Sequence, residues 1–227
     1  IFNCPLAIKK MDSKMLKLAE SYLPFPTGIE IECLKKDSYK DDLFRRCGIM
    51  AIHTDNNEQR YRIHPGVKGM IELYNICQLL KEHSHFNISS GIHYHIDARS
   101  FYSRLDVDKA KKESWILDSL ESWNYTGSFN KREIRTDKNG WVRICKIYET
   151  IEFRIGEMSF DYETLIKRII HCQNIVKRLK NSKHILKSKC VVIDSGKNIA
   201  SVSSLANRAY NYNNYQIRQD GSNTLTV

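Results

Sequence analysis

The sequence predicts an α+β fold in which helices pack on a mostly antiparallel sheet. Three observations carry that reading. Short stretches of period-two alternation recur along the chain, and amphipathic stretches of helical period stand between them. The two kinds are mixed without the regular β-α-β order of a parallel sheet, and no internal repeat is visible. With 227 residues and 41% hydrophobic content, the chain holds enough apolar material for one sizeable core. We expect a single domain over 1–206 and a loosely held tail over 207–227, where Asn, Tyr, Ser and Gly accumulate without periodicity.

The first helix is expected over 12–22, with Asp12 or Ser13 as N-cap, a buried side of Met15, Leu16, Leu18 and Ala19, and Pro24 and Pro26 as its stop. A strong strand follows from Gly28 to Leu34. Residues 47–54 and 59–64 are weaker strands around the polar turn Asp55-Asn56-Asn57, as in a hairpin. A helix from about Lys68 to His83 carries Met70, Ile71, Leu73, Tyr74, Cys77, Leu79 and Leu80 near a 3.6 spacing. Phe86 to Ala98 returns as a strand interrupted by Ser89-Ser90-Gly91. The next helix is expected over Lys109 to Trp123, with Ala110, Trp115, Ile116, Leu117 and Leu120 inward, and Asn124 to Lys131 as a mobile connection. Trp141 to Tyr148 and Thr150 to Ile155 read as a strand pair or one bent strand. A long helix from Asp161 to Asn181 buries Leu165, Ile166, Ile169, Ile170, Val176 and Leu179, and Cys190 to Asp194 reads as a short strand.

Composition narrows the function classes. No apolar run approaches the roughly 20 residues that cross a bilayer, and the opening Ile1-Phe2-Asn3-Cys4-Pro5 followed by Lys9 and Lys10 lacks signal-peptide architecture. The chain starts without Met, as a fragment or a processed form does. Seven cysteines without a Cys-x-x-Cys pair read as reduced thiols, so a cytoplasmic protein without a membrane partner is expected. The net charge of +10 favours phosphate-bearing partners, whether nucleotide, polynucleotide or acidic substrate. Much of it sits in Lys167, Arg168, Lys177, Arg178, Lys180, Lys183, Lys187 and Lys189, most simply the solvated face of a helix.

Three stretches place two polar side chains at i and i+2 around an apolar one: Glu30 and Glu32, His93 and His95, and Glu152 and Arg154. Side chains two apart on a strand share a face, so each stretch turns its polar pair one way and Ile, Tyr or Phe the other. Carboxylates are natural Mg²⁺ ligands, and imidazole joins them where Mn²⁺ or Zn²⁺ is tolerated. A Glu-x-Glu strand alone is more often a solvated sheet face. Two imidazoles on one strand are more specific, and Asp97 extends that face by a step and is placed to orient a histidine. Glu152 suits a metal and Arg154 a phosphate, with Arg132, Arg143 and Lys146 as further phosphate candidates. There is no Walker loop and no GxGxxG. Nucleotide binding therefore has to come from metal and arginine on a sheet.

In order and identity these three strands resemble the amidoligase family of the glutamine synthetase and glutamate–cysteine ligase superfamily. The resemblance rests on Gly-x-Glu-x-Glu, then Ser-x-Gly-x-His-x-His, then Thr-x-Glu-x-Arg before a long helix, and covers roughly 27–180. It implies a sheet whose concave face holds ATP and Mg²⁺ or Mn²⁺, with Glu30, Glu32, His93 and Glu152 at the metals. His95 and Arg154 would stand at the nucleotide, where Arg143 and Lys146 join them as the flanking phosphate candidates read from charge, and Glu30, His93, Glu152 and Arg154 would carry the catalysis. The implied reaction joins a small-molecule or peptide carboxylate to an amine through an acyl phosphate. One departure stands out: the segment before Pro65 reads Gln59-Arg60-Tyr61-Arg62-Ile63-His64, where similar proteins carry another carboxylate, and Glu58 is the nearest. Arg62 and His64 share a face there and suit either an anionic substrate or the surface.

Two other readings stay open. A nucleic-acid-binding or structural protein on the same fold would use the basic surface and the tail, where Tyr210, Tyr212 and Tyr215 stand beside Arg208 and Arg218. An ATP-dependent small-molecule kinase would release ADP without forming an amide.

Overall fold

The computed structural model describes residues 13–54, 57–87, 90–123, 131–187, 191–193 and 199–201. The 207–227 tail, residues 124–130 of the connection after Trp123, and Cys190 and Asp194 at the ends of the short strand all lie outside the described residues. The elements in chain order are α1 (Ser13–Tyr22), β1 (Thr27–Glu32), β2 (Leu34–Lys35), α2 (Asp41–Arg46), β3 (Met50–Thr54), β4 (Glu58–Ile63), α3 (Gly66–His83), β5 (Ser84–His85), β6 (Ile92–Asp97), α4 (Arg99–Tyr102), α5 (Val107–Ala110), α6 (Ser114–Asp118), β7 (Lys131–Arg135), β8 (Gly140–Cys145), β9 (Thr150–Phe153), α7 (Tyr162–Asn181), β10 (Val191–Ile193) and β11 (Ile199–Ser201).

Seven strands form one open sheet in the order β3-β4-β1-β6-β9-β8-β7. Every neighbouring pair is antiparallel except β7 with β8, which is parallel. The α+β, mostly antiparallel class read from the alternating stretches is therefore the class of this molecule. β2 pairs with β5, and β10 with β11, in two separate ribbons.

Alternation sorts the two faces of the sheet. Ile29, Ile31, Tyr61, Ile63, Ile92, Tyr94, Ile96, Val142, Ile144, Ile151 and Phe153 are buried in the core, with α3 packed against β4 and α7 against β6. Apolar area removed from water at about 25 cal/mol per Å² is the main force holding helices to sheet. A buried polar staple adds direction. Gln173 of α7 accepts the Phe25 N–H at 3.0 Å and donates to the Phe25 carbonyl at 2.7 Å and to the Thr27 hydroxyl at 2.8 Å, which fixes where β1 enters the sheet. Gly69 lets α3 approach the strand end, since a Cβ there would lie 1.8 Å from the His64 carbonyl oxygen.

Several expectations need correction. Leu18 is 44% exposed while Ala19 is buried, so Leu18 does not belong to the buried side expected of α1; Asp12 and the side chains of Met15 and Leu16 lie outside the described residues. The strand expected through Leu34 stops at Glu32, and Leu34 leaves to pair with His85. The continuous helix expected over 109–123 is absent; the short helices α5 and α6 stand there instead, with Asp106 capping the Lys109 N–H at the start of α5. The buried positions Phe101, Leu105, Ala110, Ile116, Leu117 and Leu120 follow no 3.6 period, so no continuous helix buries them together. β7 was not anticipated, because Lys131-Arg132-Glu133-Ile134-Arg135 buries only Ile134.

Candidate functional site

The polar face of the sheet is assembled by register. β1 and β6 pair with Glu30 opposite His93 and Gly28 opposite His95, and β6 and β9 pair with His95 opposite Glu152. On the flanks, Arg60 and Arg62 of β4 stand opposite Glu30 and Gly28, and Arg143 of β8 stands opposite Glu152. Directly opposed residues point to the same side. One row across five strands therefore reads Arg62, Gly28, His95, Glu152, Arg143, and a second begins Arg60, Glu30, His93. The three i, i+2 pairs of the sequence meet on one surface.

Glu30 is the hub of one half. Its Oε1 lies 3.3 Å from His93 Nδ1, and its Oε2 lies 3.4 Å from His95 Nε2 and 3.3 Å from Arg60 Nε. Burial on its own pushes the carboxyl up. Hydrogen bonds from His93 and His95 and the charges of His93 and Arg60 outweigh that, and Glu30 is held well below the usual carboxylate range. Glu152 is the hub of the other half and is 1% exposed. Arg143 Nη1 donates to its Oε2 at 3.1 Å and Arg154 Nη1 donates to its Oε1. Burial again raises this carboxyl, and the charges of His95 and Arg154 with the Arg154 bond lower it further than burial raises it.

His95 joins the halves. Its Nε2 lies 3.4 Å from Glu30 Oε2 and 3.8 Å from Glu152 Oε1. Carboxylates only accept, so Nε2 bears a proton in this arrangement. Thr150 Oγ1, 3.2 Å from Nδ1, orients the ring from the other side. Carboxylate oxygens from two strands thus converge on one point.

Other residues singled out in the sequence fall elsewhere. Glu32 faces the same way, but its Oε2 accepts the Gly91 N–H at 2.8 Å and pins the turn before β6. Asp97 orients no histidine; it holds the Arg99 backbone N–H at 3.0 Å and the Arg99 guanidinium through both oxygens. His64 leaves the sheet face, since its backbone N–H and its Nδ1 both lie 2.8 Å from the buried Glu72 carboxylate of α3. Lys146 is exposed in the turn between β8 and β9, with no contact to the cluster among the described residues. Arg132 is taken up at the sheet edge by Asp118 at 2.6 Å and Glu121 at 3.6 Å. Sequence reasoning passed over Glu58 and Arg60 as site members. Arg60 Nε lies 2.5 Å from Glu58 Oε1, and Glu58 stands opposite Glu32. The signal was there: Glu58, Arg60 and Arg62 repeat the same period-two pattern.

The polar face thus offers four carboxylates (Glu30, Glu32, Glu58, Glu152), two imidazoles and four guanidiniums (Arg60, Arg62, Arg143, Arg154). In kind, this inventory fits a divalent metal with a polyphosphate: carboxylates for the one, guanidiniums for the other. A cation held between Glu30 and Glu152 would have to take the place of the His95 Nε2 proton. Among the described residues no group of three His, Cys, Asp or Glu side chains is placed to hold a metal ion. No protein-family model and no curated protein matches this chain.

Proposed function

We propose that the protein is an ATP-dependent carboxylate–amine ligase of the amidoligase kind. The observation that carries the reading is the multiple anchoring of two carboxylates, half-buried Glu30 by His93, His95 and Arg60 and buried Glu152 by Arg143 and Arg154, on the two strands that flank β6 on one sheet face. The reading takes this sheet as the counterpart of the glutamine synthetase and glutamate–cysteine ligase catalytic sheet. The order of the three motif strands supports it.

In this proposal Glu30 and Glu152 hold Mg²⁺ or Mn²⁺, with His93 assisting and Glu32 and Glu58 at the margin. The metal, when bound, neutralises charge on the nucleotide's phosphates. Arg154 and Arg143 turn their guanidiniums to the γ-phosphoryl oxygens, a role that suits a planar fork fixed in advance by Glu152. The substrate carboxylate oxygen attacks the γ-phosphorus and ADP leaves, giving an acyl phosphate. The amine then attacks the acyl carbon, the C–O bond to phosphate breaks, and amide and phosphate form with release of one proton. Two substrates need two approaches. A cleft on one side of Glu30 reaches Arg62 and Tyr148, and another reaches Glu32, Asn57, Glu58 and Asn87. A cytoplasmic setting belongs to the same proposal; the five described cysteines are free thiols, and among the described residues no helix is long and apolar enough to cross a membrane.

The test is ADP release from Mg·ATP with pools of carboxylates and amines. ADP formation that requires one member of each pool, with one amide per ADP, is the expected result. ADP that requires an acid and no amine would replace the ligase by a kinase, and no acid-dependent ADP with any pool would remove the ATP chemistry altogether.

A further inference from the structure

The transverse row on the polar face has a gap. Arg62, His95, Glu152 and Arg143 carry long side chains into it, while Gly28 between Arg62 and His95 carries none. A Cβ at Gly28 would already come within 3.2 Å of the His95 Cβ. Glycine inside a strand costs stability and is kept where something must come close to the backbone. The gap opens a cleft of about 250 Å³, at the small end of ligand sites. Pro26, Thr27, Gly28 and Ile29 line it along the chain. Tyr148 forms a wall: it is 55% exposed, and its ring stands edge-on to His95 with centroids 6.0 Å apart.

The charges of this cleft are unevenly spent. Two carboxylates, Glu30 and Asp97, and three guanidiniums, Arg60, Arg62 and Arg99, line it, and Arg60 also pairs with Glu58 at 2.5 Å. Asp97 is closed by Arg99, and Glu30 by Arg60, His93 and His95. Among the described residues Arg62 makes no ion pair, so its guanidinium is the one left open in this cleft. A planar guanidinium with open donors matches a carboxylate through two parallel hydrogen bonds. The mainly apolar remainder of the lining matches a flat apolar body.

From this we infer that the Gly28 gap is the binding site of a small organic monocarboxylate, its carboxylate on Arg62 and its body between Gly28 and Tyr148. In the ligase reading it would seat the acid substrate next to Glu30 and His95. Binding itself needs neither nucleotide nor metal, so it stands or falls separately from that reading.

The experiment is calorimetry of the full chain in EDTA without nucleotide, with benzoate as the probe and benzamide as its uncharged isostere. Benzoate is expected to bind at least tenfold more tightly than benzamide. Arg62→Met is expected to erase that difference, and Gly28→Val to abolish benzoate binding, with Gly28→Ala weakening it as a milder second variant. Thermal unfolding of each variant establishes that it is folded. Benzoate binding no tighter than benzamide to the wild-type protein would overturn the inference. So would unchanged benzoate affinity in folded Arg62→Met. ADP release that fails in the separate assay while benzoate still binds would sink the ligase reading and leave this one standing.

Discussion

Glu152 sets the residue scale, because its environment fixes what substitution there must do. With 1% exposure and two arginines on its oxygens, it is a buried charge whose removal strands its partners. Glu152→Gln should therefore cost about 3 kcal/mol of stability, the range seen when a buried pair is broken, and this is read as a lower urea midpoint at unchanged m-value. Acid supplies an independent readout. Glu30 and Glu152 are both held below the ordinary carboxylate range in the folded protein, whereas the unfolded chain takes up protons near about 4.3. The unfolded state then binds more protons below that pH, so stability is fully present above about pH 5 and falls as pH drops towards the folded values. Unfolding free energies measured from pH 7 to pH 3 should decline in the wild type, and Glu152→Gln should show a shallower decline, by about one proton. An identical slope in the variant would mean that Glu152 is not held as described. Period-two spacing was enough to locate Glu30, His93, His95, Glu152 and Arg154 on one face. It gave no warning that Asp97 would close on Arg99 or His64 on Glu72, because both partners depend on where a helix docks rather than on strand alternation.

At the scale of elements, the strands β1, β6 and β9 were legible because each alternates a polar with a β-branched or aromatic residue. α7 was legible because Asp161 caps it through Thr164 and a long apolar stripe follows. β7 was hidden by its charges: at the sheet edge it buries a single residue, and its pairing is decided by β8. The 109–123 segment was misread because local helix-forming residues outweighed an irregular spacing of buried positions. The junction of α3 with β4 carries a sharp expectation of its own. A Cβ at position 69 would overlap the His64 carbonyl oxygen at 1.8 Å, and backbone cannot yield as a side-chain tip does. Gly69→Ala, normally favourable in a helix, should instead destabilise by about 3 kcal/mol, at the upper end for overpacking. Because His64 follows directly on β4, the same variant should also loosen Arg60 and Arg62, which hydrogen exchange of the β4 amides would report. A neutral or stabilising Gly69→Ala would show that α3 and the strand end do not meet in this way.

Across the whole molecule, charge is distributed by task. The chain carries +10 overall, yet the polar face balances four carboxylates against four guanidiniums, so the surplus lies elsewhere. Part of the basic stretch of α7 is already engaged: Arg168 donates to the Glu157 carbonyl at 2.6 Å, Arg178 stacks over Trp115 at 3.9 Å, and Lys180 lies over Phe25 at 5.4 Å. These contacts agree with a helix face that packs and solvates. Under the proposed function a metal with a polyphosphate would enter this largely ion-paired face by exchange, the cation taking carboxylates and the phosphates taking the arginines so released. That exchange would make metal and nucleotide binding mutually dependent. The most direct measurement is calorimetry of a non-hydrolysable ATP analogue in Mg²⁺ and in EDTA, on the wild type and on Arg154→Lys, which keeps the charge and loses the fork. Binding in Mg²⁺ that weakens at least tenfold in EDTA, and again in Arg154→Lys, is the result this account predicts; equal affinity in Mg²⁺ and EDTA, or no binding in either, would contradict it.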